Sequence, residues 1–282
     1  MILYKHKKDI EQKINAFRSE GKSIGFVPTM GALHEGHLSL IKASRQKNTI
    51  TVCSIFVNPT QFNDINDFKK YPVTIESDIQ QLTEAGTDIL FLPSVTEMYP
   101  EGTVATEHYD LDELENILEG KYRPGHFQGV CAVVHRLFLI VKPDTAYFGQ
   151  KDYQQCMVIK KLVQLKSLPV EIIIHPTIRD NSGLAMSSRN LRLREKDKEL
   201  VTILYKALSY IKEKKNQLSV DELLKEAKKV ILNSGFEKID YVAICDAVTL
   251  QPLQNLTNEQ PAVALVAAFI GGIRLIDNRL LQ

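Results

Sequence analysis

Charge imbalance, paired cysteines, internal repeats and membrane-length apolar runs are all missing from this 282-residue chain. Its 35 basic side chains face 34 acidic ones, a formal net charge of +1. Such a balance supplies no field that would gather nucleic acid or an acidic membrane non-specifically. The four cysteines, Cys53, Cys131, Cys156 and Cys245, lie far apart, with neither C-x-x-C spacing nor a disulfide-rich pattern. Three of them, Cys53, Cys131 and Cys245, sit in apolar runs, so we expect buried free thiols in a reducing compartment. No apolar stretch reaches the roughly 18 residues needed to span a bilayer. The longest, Ala262 to Ile273, is shorter and ends among glycines. Met1 to Lys8 is basic but leads into polar, helix-like sequence rather than a signal-peptide core. Together these gaps predict a cytoplasmic protein without a membrane or nucleic-acid partner.

What remains is an ordinary globular composition, 44% hydrophobic and 24% charged, long enough for one large domain or two. Ser23–Thr29, Ile50–Val57, Asp88–Leu92, Thr145–Phe148 and Val170–Ile174 read as buried strands. Between them Gly36–Arg45, Ile75–Ala85 and Tyr153–Leu165 read as helices, and Val130–Val141, apolar nearly all round, as a buried helix. Strands that are continuous apolar runs alternating with helices predict a parallel sheet covered on both faces. After Arg179 the pattern changes to two amphipathic helices, Glu195–Lys215 and Val220–Asn233. Three strands follow, Asp240–Cys245, Ala262–Ile270 and Ile273–Ile276, with Gly271-Gly272 as a tight hairpin turn. We therefore expect a doubly wound α/β domain over residues 1–177 and a smaller α+β domain over 178–282.

Four polar motifs each follow an apolar, strand-like run. They are Pro28-Thr29-Met30-Gly31-Ala32-Leu33-His34-Glu35-Gly36-His37, Asn58-Pro59-Thr60-Gln61-Phe62, Gly149-Gln150-Lys151-Asp152-Tyr153-Gln154-Gln155 and Met186-Ser187-Ser188-Arg189-Asn190. Loops leaving the carboxyl ends of parallel strands line one crevice, so distant motifs can share one ligand. Gly31-x-x-x-x-Gly36 starts like a P-loop, but His37 and Leu38 stand where Lys and Ser or Thr belong. What is left is a glycine-containing turn entering a helix, whose N-terminal amides and dipole favour an anion. The same positive end favours neutral imidazoles at His34 and His37. Zinc ligation would need four-residue spacing and a third ligand, which is not the pattern here. On spacing alone, the competing reading is two exposed helix-start histidines without a role.

At Thr29–His37 the sequence resembles the H-x-G-H nucleotidyltransferase superfamily. The longer string PTMGALHEGH resembles one family inside it, the pantoate–β-alanine ligases, and SIFVNPTQF, YFGQKDYQQ and AMSSRN are similar to that family's other motifs in order and spacing. The resemblance runs from about Ser23 to Leu275-Ile276-Asp277-Asn278. It implies a Rossmann-like domain, a C-terminal domain that closes over the active site, and a homodimer. The implied reaction joins pantoate to β-alanine through pantoyl adenylate, using ATP with Mg²⁺ and releasing pyrophosphate and AMP. A free carboxylate is a poor acylating agent, and attaching AMP turns its oxygen into part of a good leaving group.

By the same resemblance the ATP-binding residues are Met30, Gly31, Ala32, Leu33, His34, Glu35, Gly36, His37, Gly149, Gln150, Lys151, Asp152, Ile178, Met186, Ser187, Ser188 and Arg189. His37 matches a proton donor, with His34 and Lys151 as further catalytic groups that stabilise phosphate charge. Gln61 is implied for pantoate and β-alanine and Gln155 for pantoate, with Pro28, Asn58 and Phe62 beside them. Neutral amides suit a substrate that carries a carboxylate and two hydroxyls. Pro28, Met30, Phe56 and Phe62 are candidates for the apolar wall against its gem-dimethyl group. Mg²⁺ is expected to arrive with ATP, with Asp152 as a candidate contact. Arg123 and His126, in the segment RPGHF, are candidates for the β-alanine side. Gln150 replaces the family's more usual glutamate, which puts only an acidic role there in doubt. A different H-x-G-H nucleotidyltransferase would share the first motif but not the glutamine motifs. A nucleotide sensor without catalysis would be expected to have lost a histidine or Lys151.

Overall fold

β-Branched runs form the strands of a parallel sheet in the first of two units of the computed structural model, which describes residues 1–63, 65–104, 107–257 and 259–282. That unit comprises Met1–Gly149 and Val158–Pro176. Its strands are β1 (Ile2–Tyr4), β2 (Ile24–Thr29), β3 (Ile50–Ile55), β4 (Ile89–Phe91), β5 (Thr145–Gly149) and β6 (Glu171–His175). They lie in the order β1-β4-β3-β2-β5-β6, every pairing parallel. From β2 the order steps outward in both directions, so β2 and β5 bracket the switch point of a doubly wound sheet. Their pairing runs over Gly25 and Phe26 against Thr145 and Ala146, ending before Pro28. A residue with no N–H thus stands where the two strands have parted.

The connecting helices are α1 (Lys7–Ser19), α2 (Glu35–Lys47), α3 (Ile65–Lys69), α4 (Ile75–Glu84), α5 (Val95–Met98), α6 (Leu118–Tyr122) and α7 (His126–Val141), and α8 (Tyr153–Leu165) follows β5. One face of the sheet packs Val27, Cys53, Leu90 and Tyr147 against Leu40 and Ile41 of α2 and Leu82 of α4. On the other face Phe138 of α7 meets the rings of Phe26 and Phe148 edge-on, at 6.3 and 6.5 Å. Alternate residues of β2, Phe26 and Val27, thereby bury on opposite faces, which is why the strand reads as a continuous apolar run. α7 is buried along most of its length, as its composition predicted; Leu139, 51% exposed, is an exception.

The second unit, Gln150–Met157 with Thr177–Gln282, is α+β. It contains α9 (Glu195–Lys198), α10 (Ile203–Lys214), α11 (Val220–Asn233) and an antiparallel sheet of β7 (Lys238–Asp246), β8 (Ala262–Ile270) and β9 (Ile273–Leu280), in the order β7-β8-β9. Gly271 and Gly272 both have positive φ, the geometry a two-residue hairpin of the primed type requires. Val220, Leu223, Ala227 and Ile231 form the stripe of α11 that packs with Val242, Ala264 and Val266.

One expected helix is broken in the structure. The helix predicted over Glu195–Lys215 is three pieces, α9, a 3₁₀ turn at Leu200–Thr202, and α10. Val201 and Thr202 are adjacent β-branched residues, poor in helix interiors. The Thr202 hydroxyl donates to the carbonyl of Glu199 at 2.8 Å, a local bond that competes with the helical ladder.

Candidate active site

The first motif leaves β2 in a left-handed turn. Gly31 has φ +82° and Ala32 φ +48°; for Ala32 this costs about 1–2 kcal/mol. What holds the turn is Asp78, fully buried on α4. Its two oxygens accept Ala32 N–H at 2.9 Å and Leu33 N–H at 2.8 Å. Hydrogen bonds to a charged group contribute about 1.5–3 kcal/mol each, so two outweigh the strain. A Cβ at position 31 would stand 3.0 Å from Asp78 Oδ2 and 3.1 Å from Ile55, so a side chain there would crowd both as well as strain φ.

The chain then enters α2 with His34 as its N-cap. Nδ1 of His34 accepts Gly36 N–H at 3.1 Å, which leaves the ring N–H on Nε2 as a donor. The rings of His34 and His37 stack with centroids 4.1 Å apart. Two imidazoles are thus gathered at a helix N-terminus, where the dipole favours negative charge. Glu35 is exposed in the same first turn.

The second motif follows β3 and is built around Asn58, 1% exposed. Asn58 Oδ1 accepts the Tyr99 hydroxyl at 2.9 Å and the Thr60 hydroxyl at 3.1 Å. Asn58 Nδ2 donates to the carbonyl of Gly129 at 3.1 Å and to Gln61 Oε1 at 3.3 Å. Gln61 Nε2 reaches Met30 Sδ at 3.1 Å, so this residue joins the first two motifs. α7 approaches so closely that a Cβ on Gly129 would lie 2.3 Å from the carbonyl oxygen of Thr60, and only glycine fits. Burial raises the pKa of Tyr99 above its ordinary value, outweighing the bonds from Thr60 and Asn58, so it stays a neutral donor. Phe62 stacks edge-on against Phe68 and Tyr71, and Phe56 lies beside Tyr99. His126 Nδ1 and the carbonyl of Gln61 are 2.8 Å apart, and Arg123 is 3.1 Å from His126 Nε2. With the guanidinium donating to Nε2, the imidazole N–H sits on Nδ1 and donates to Gln61. Arg123 and His126 thereby brace the backbone of Gln61.

Gly149 ends β5, and the chain turns at once through Gln150–Asp152 into α8. Lys151 Nζ lies 3.7 Å from Asp152 Oδ1; the lysine side chain is 15% exposed and the aspartate 46%. Asn278 of β9 holds this turn, donating to the carbonyls of Gln150 at 2.9 Å and Lys151 at 2.8 Å and accepting from Gln150 Nε2 at 3.2 Å. Tyr153 donates to the carbonyl of Ala247 at 2.7 Å, and its burial pushes its pKa up to about 12. Gln155 is half-buried in the first turn of α8.

The fourth motif ends a small loop closed by the bond from Met186 N–H to the carbonyl of Ile178, 2.9 Å. Arg179 anchors it with a two-pronged ion pair to Asp277, at 2.7 and 2.8 Å, and stacks over Tyr205 at 4.3 Å. Asp180 shapes the tip by accepting from Ser182 and Leu184 N–H. Partial burial is the largest influence on its pKa and pushes it up, but the hydrogen bonds together prevail and hold it below the usual carboxylate range. Ser187 caps the following 3₁₀ turn by accepting Arg189 N–H at 3.3 Å, and Ser188 is buried.

Within the first unit the structure brings Pro28, Met30–His37, Asn58, Gln61 and Phe62 to the carboxyl ends of β2 and β3, with Gly149 at that of β5. Within the second it gathers Gln150–Asp152 with Asn278, and Ile178 with Met186. Sequence reasoning missed Asp78, Arg179, Asp277 and the structural part of Asn278. All four lie inside the resembling stretch, and Asp277 and Asn278 close it, which was the available signal.

A parallel sheet with this strand order, and a glycine turn entering a helix through two stacked histidines, define a Rossmann-like protein of the H-x-G-H class. The model of the pantoate-beta-alanine ligase family matches residues 2–280. A pantothenate synthetase of Azobacteroides pseudotrichonymphae is 46% identical over 271 residues, 96% of each chain. The crystal structure of pantothenate synthetase from Thermus thermophilus superposes with a TM-score of 0.93 at 41% identity, covering 100% of this chain and 99% of that one. The Francisella tularensis pantoate-beta-alanine ligase, solved with beta-gamma ATP and beta-alanine, gives 0.83 at 40% identity, covering 100% and 98%. The chain belongs to the pantoate–β-alanine ligase family.

Proposed function

We propose that this chain joins pantoate to β-alanine in two steps, with ATP as the activating substrate. In the first, a pantoate carboxylate oxygen attacks the α-phosphorus of ATP; the bond to the bridging oxygen breaks and pyrophosphate leaves. In the second, the β-alanine amine attacks the acyl carbon, the bond to AMP breaks, and the amine loses a proton as the amide forms. The observation that carries this reading is the placement of the His34–His37 helix start directly beyond β2, at the sheet's switch point.

His34 and His37 are assigned to the triphosphate, with His37 as proton donor and the α2 dipole reinforcing both. Gly149–Asp152 completes the nucleotide contacts, and Lys151 supplies a full positive charge to phosphate oxygens. Ser187, Ser188 and Arg189, with Met186 and Ile178, act on the phosphates as a second anion-binding loop. Gln61 and Gln155 take pantoate, and Gln61 also serves β-alanine. The gem-dimethyl group rests on Met30, Pro28 and Phe62.

Mg²⁺ in this reading arrives with ATP. Among the described residues no group of three or more His, Cys, Asp or Glu gathers that could hold a metal. Mg²⁺ typically uses phosphate oxygens with one or two carboxylates, and half-exposed Asp152 fits that part. Bound there, the ion would neutralise charge on the departing pyrophosphate. The proposal extends, on family resemblance, to a cytoplasmic homodimer, which light scattering tests for the assembly. Among the described residues no helix is long and apolar enough to cross a membrane.

The residue roles separate kinetically. Lys151→Ala is expected to lower kcat/KM for ATP by about 10²–10³-fold. Gln61→Ala is expected to raise the pantoate KM about tenfold while ATP KM stays within about twofold. Loss of both substrates to the same degree in both variants would remove these assignments.

A further inference from the structure

Asp78 is fully buried and has no part in the chemistry above, yet both its oxygens are committed to the histidine loop. We propose that Asp78 is a positioning residue for adenylate formation: its grip on Ala32 N–H and Leu33 N–H fixes the left-handed turn that aims His34 and His37 at the ATP triphosphate. The inference rests on the assignment of Met30–His37 to ATP.

The groups that bond to the Asp78 carboxylate are donors, the third being the Thr74 hydroxyl at 3.1 Å from Oδ1. An ionised carboxylate is acceptor-only and suits three converging donors; an amide would turn an NH₂ group against one of them. The turn it holds is left-handed at Gly31 and at Ala32, and only Ala32 carries a Cβ there. His34 and His37 follow immediately and stack on each other, so both rings inherit their direction from this turn.

Asp78→Asn tests the role, with Thr74→Val as a milder variant that only loosens the carboxylate. Asp78→Asn should raise ATP KM or lower the rate of pyrophosphate release by about tenfold, with pantoate KM within about twofold. Adding Ala32→Gly should recover part of that loss, because glycine takes the left-handed conformation without a steric penalty. A residue that merely filled the core would lose both substrates together and show no such recovery. Thr74→Val should raise ATP KM severalfold in a folded protein, and decides the matter if Asp78→Asn fails to fold. ATP kinetics in both variants within about twofold of the parent, or parallel loss of both substrates without recovery by Ala32→Gly, would overturn the proposal. His34→Ala, assayed alongside, separates the two ideas. An unchanged ATP KM there removes the assignment of the loop to ATP; a raised one with Asp78→Asn unchanged removes only the role of Asp78.

Discussion

Burial decides what the four thiols can do. Cys53, Cys131, Cys156 and Cys245 are each 0% exposed. Desolvation is the main influence on Cys53, Cys131 and Cys245 and raises all three, Cys131 and Cys245 to about 12. A thiol with a pKa near 12 is thiolate in only about one molecule in ten thousand at pH 8. A disulfide-exchange reagent at pH 8 should therefore label none of the four in the native protein and all four in denaturant. Rapid native labelling would contradict this burial. The free thiols were legible because three of them sit in apolar runs. Asp78 was not, because it bonds to residues 46 and 45 positions away, and nothing near it in sequence marks a turn-holding carboxylate. Asn278 was marked only as part of the resembling stretch, and its hold on carbonyls 128 and 127 positions away was not legible.

Elements with their own start signal were the easiest to read. Ser219 opens α11 with a capping box, its hydroxyl accepting Glu222 N–H while the Glu222 carboxylate accepts Ser219 N–H at 2.9 Å. Ser219→Ala should cost about 1 kcal/mol, lowering the unfolding midpoint by a few degrees without changing ATP kinetics. An unaltered midpoint would mean that the cap is not limiting. The predicted spans of α8, α11 and β8 coincide with the observed ones, because their hydrophobic period is unbroken from end to end. β9 was expected to stop at Ile276 but continues to Leu280. Asp277, Asn278 and Arg279 interrupt the apolar pattern, yet they remain in the strand because Asp277 pairs with Arg179 and Asn278 holds the Gln150–Asp152 turn. β1 has only three residues, too few to show a period.

At the scale of the whole molecule, alternating strands and helices announced a parallel sheet, and Gly271-Gly272 announced the antiparallel hairpin. Strand order was a different matter. Nothing in the composition of β2 and β5 says that they are neighbours, because pairing between central strands leaves the same apolar signature on each. The switch point emerges only from the sheet, and it makes the loop after β2 the natural seat of a ligand. A ligand seated there is activated by ATP before the amide forms. Pyrophosphate release, followed in one assay with ATP, Mg²⁺ and pantoate and then after addition of β-alanine, tests it most directly. Pyrophosphate is expected from ATP and pantoate alone, with AMP and pantothenate released only once β-alanine arrives. Pyrophosphate that appears only when β-alanine is present, or never despite measurable ATP binding, would contradict it.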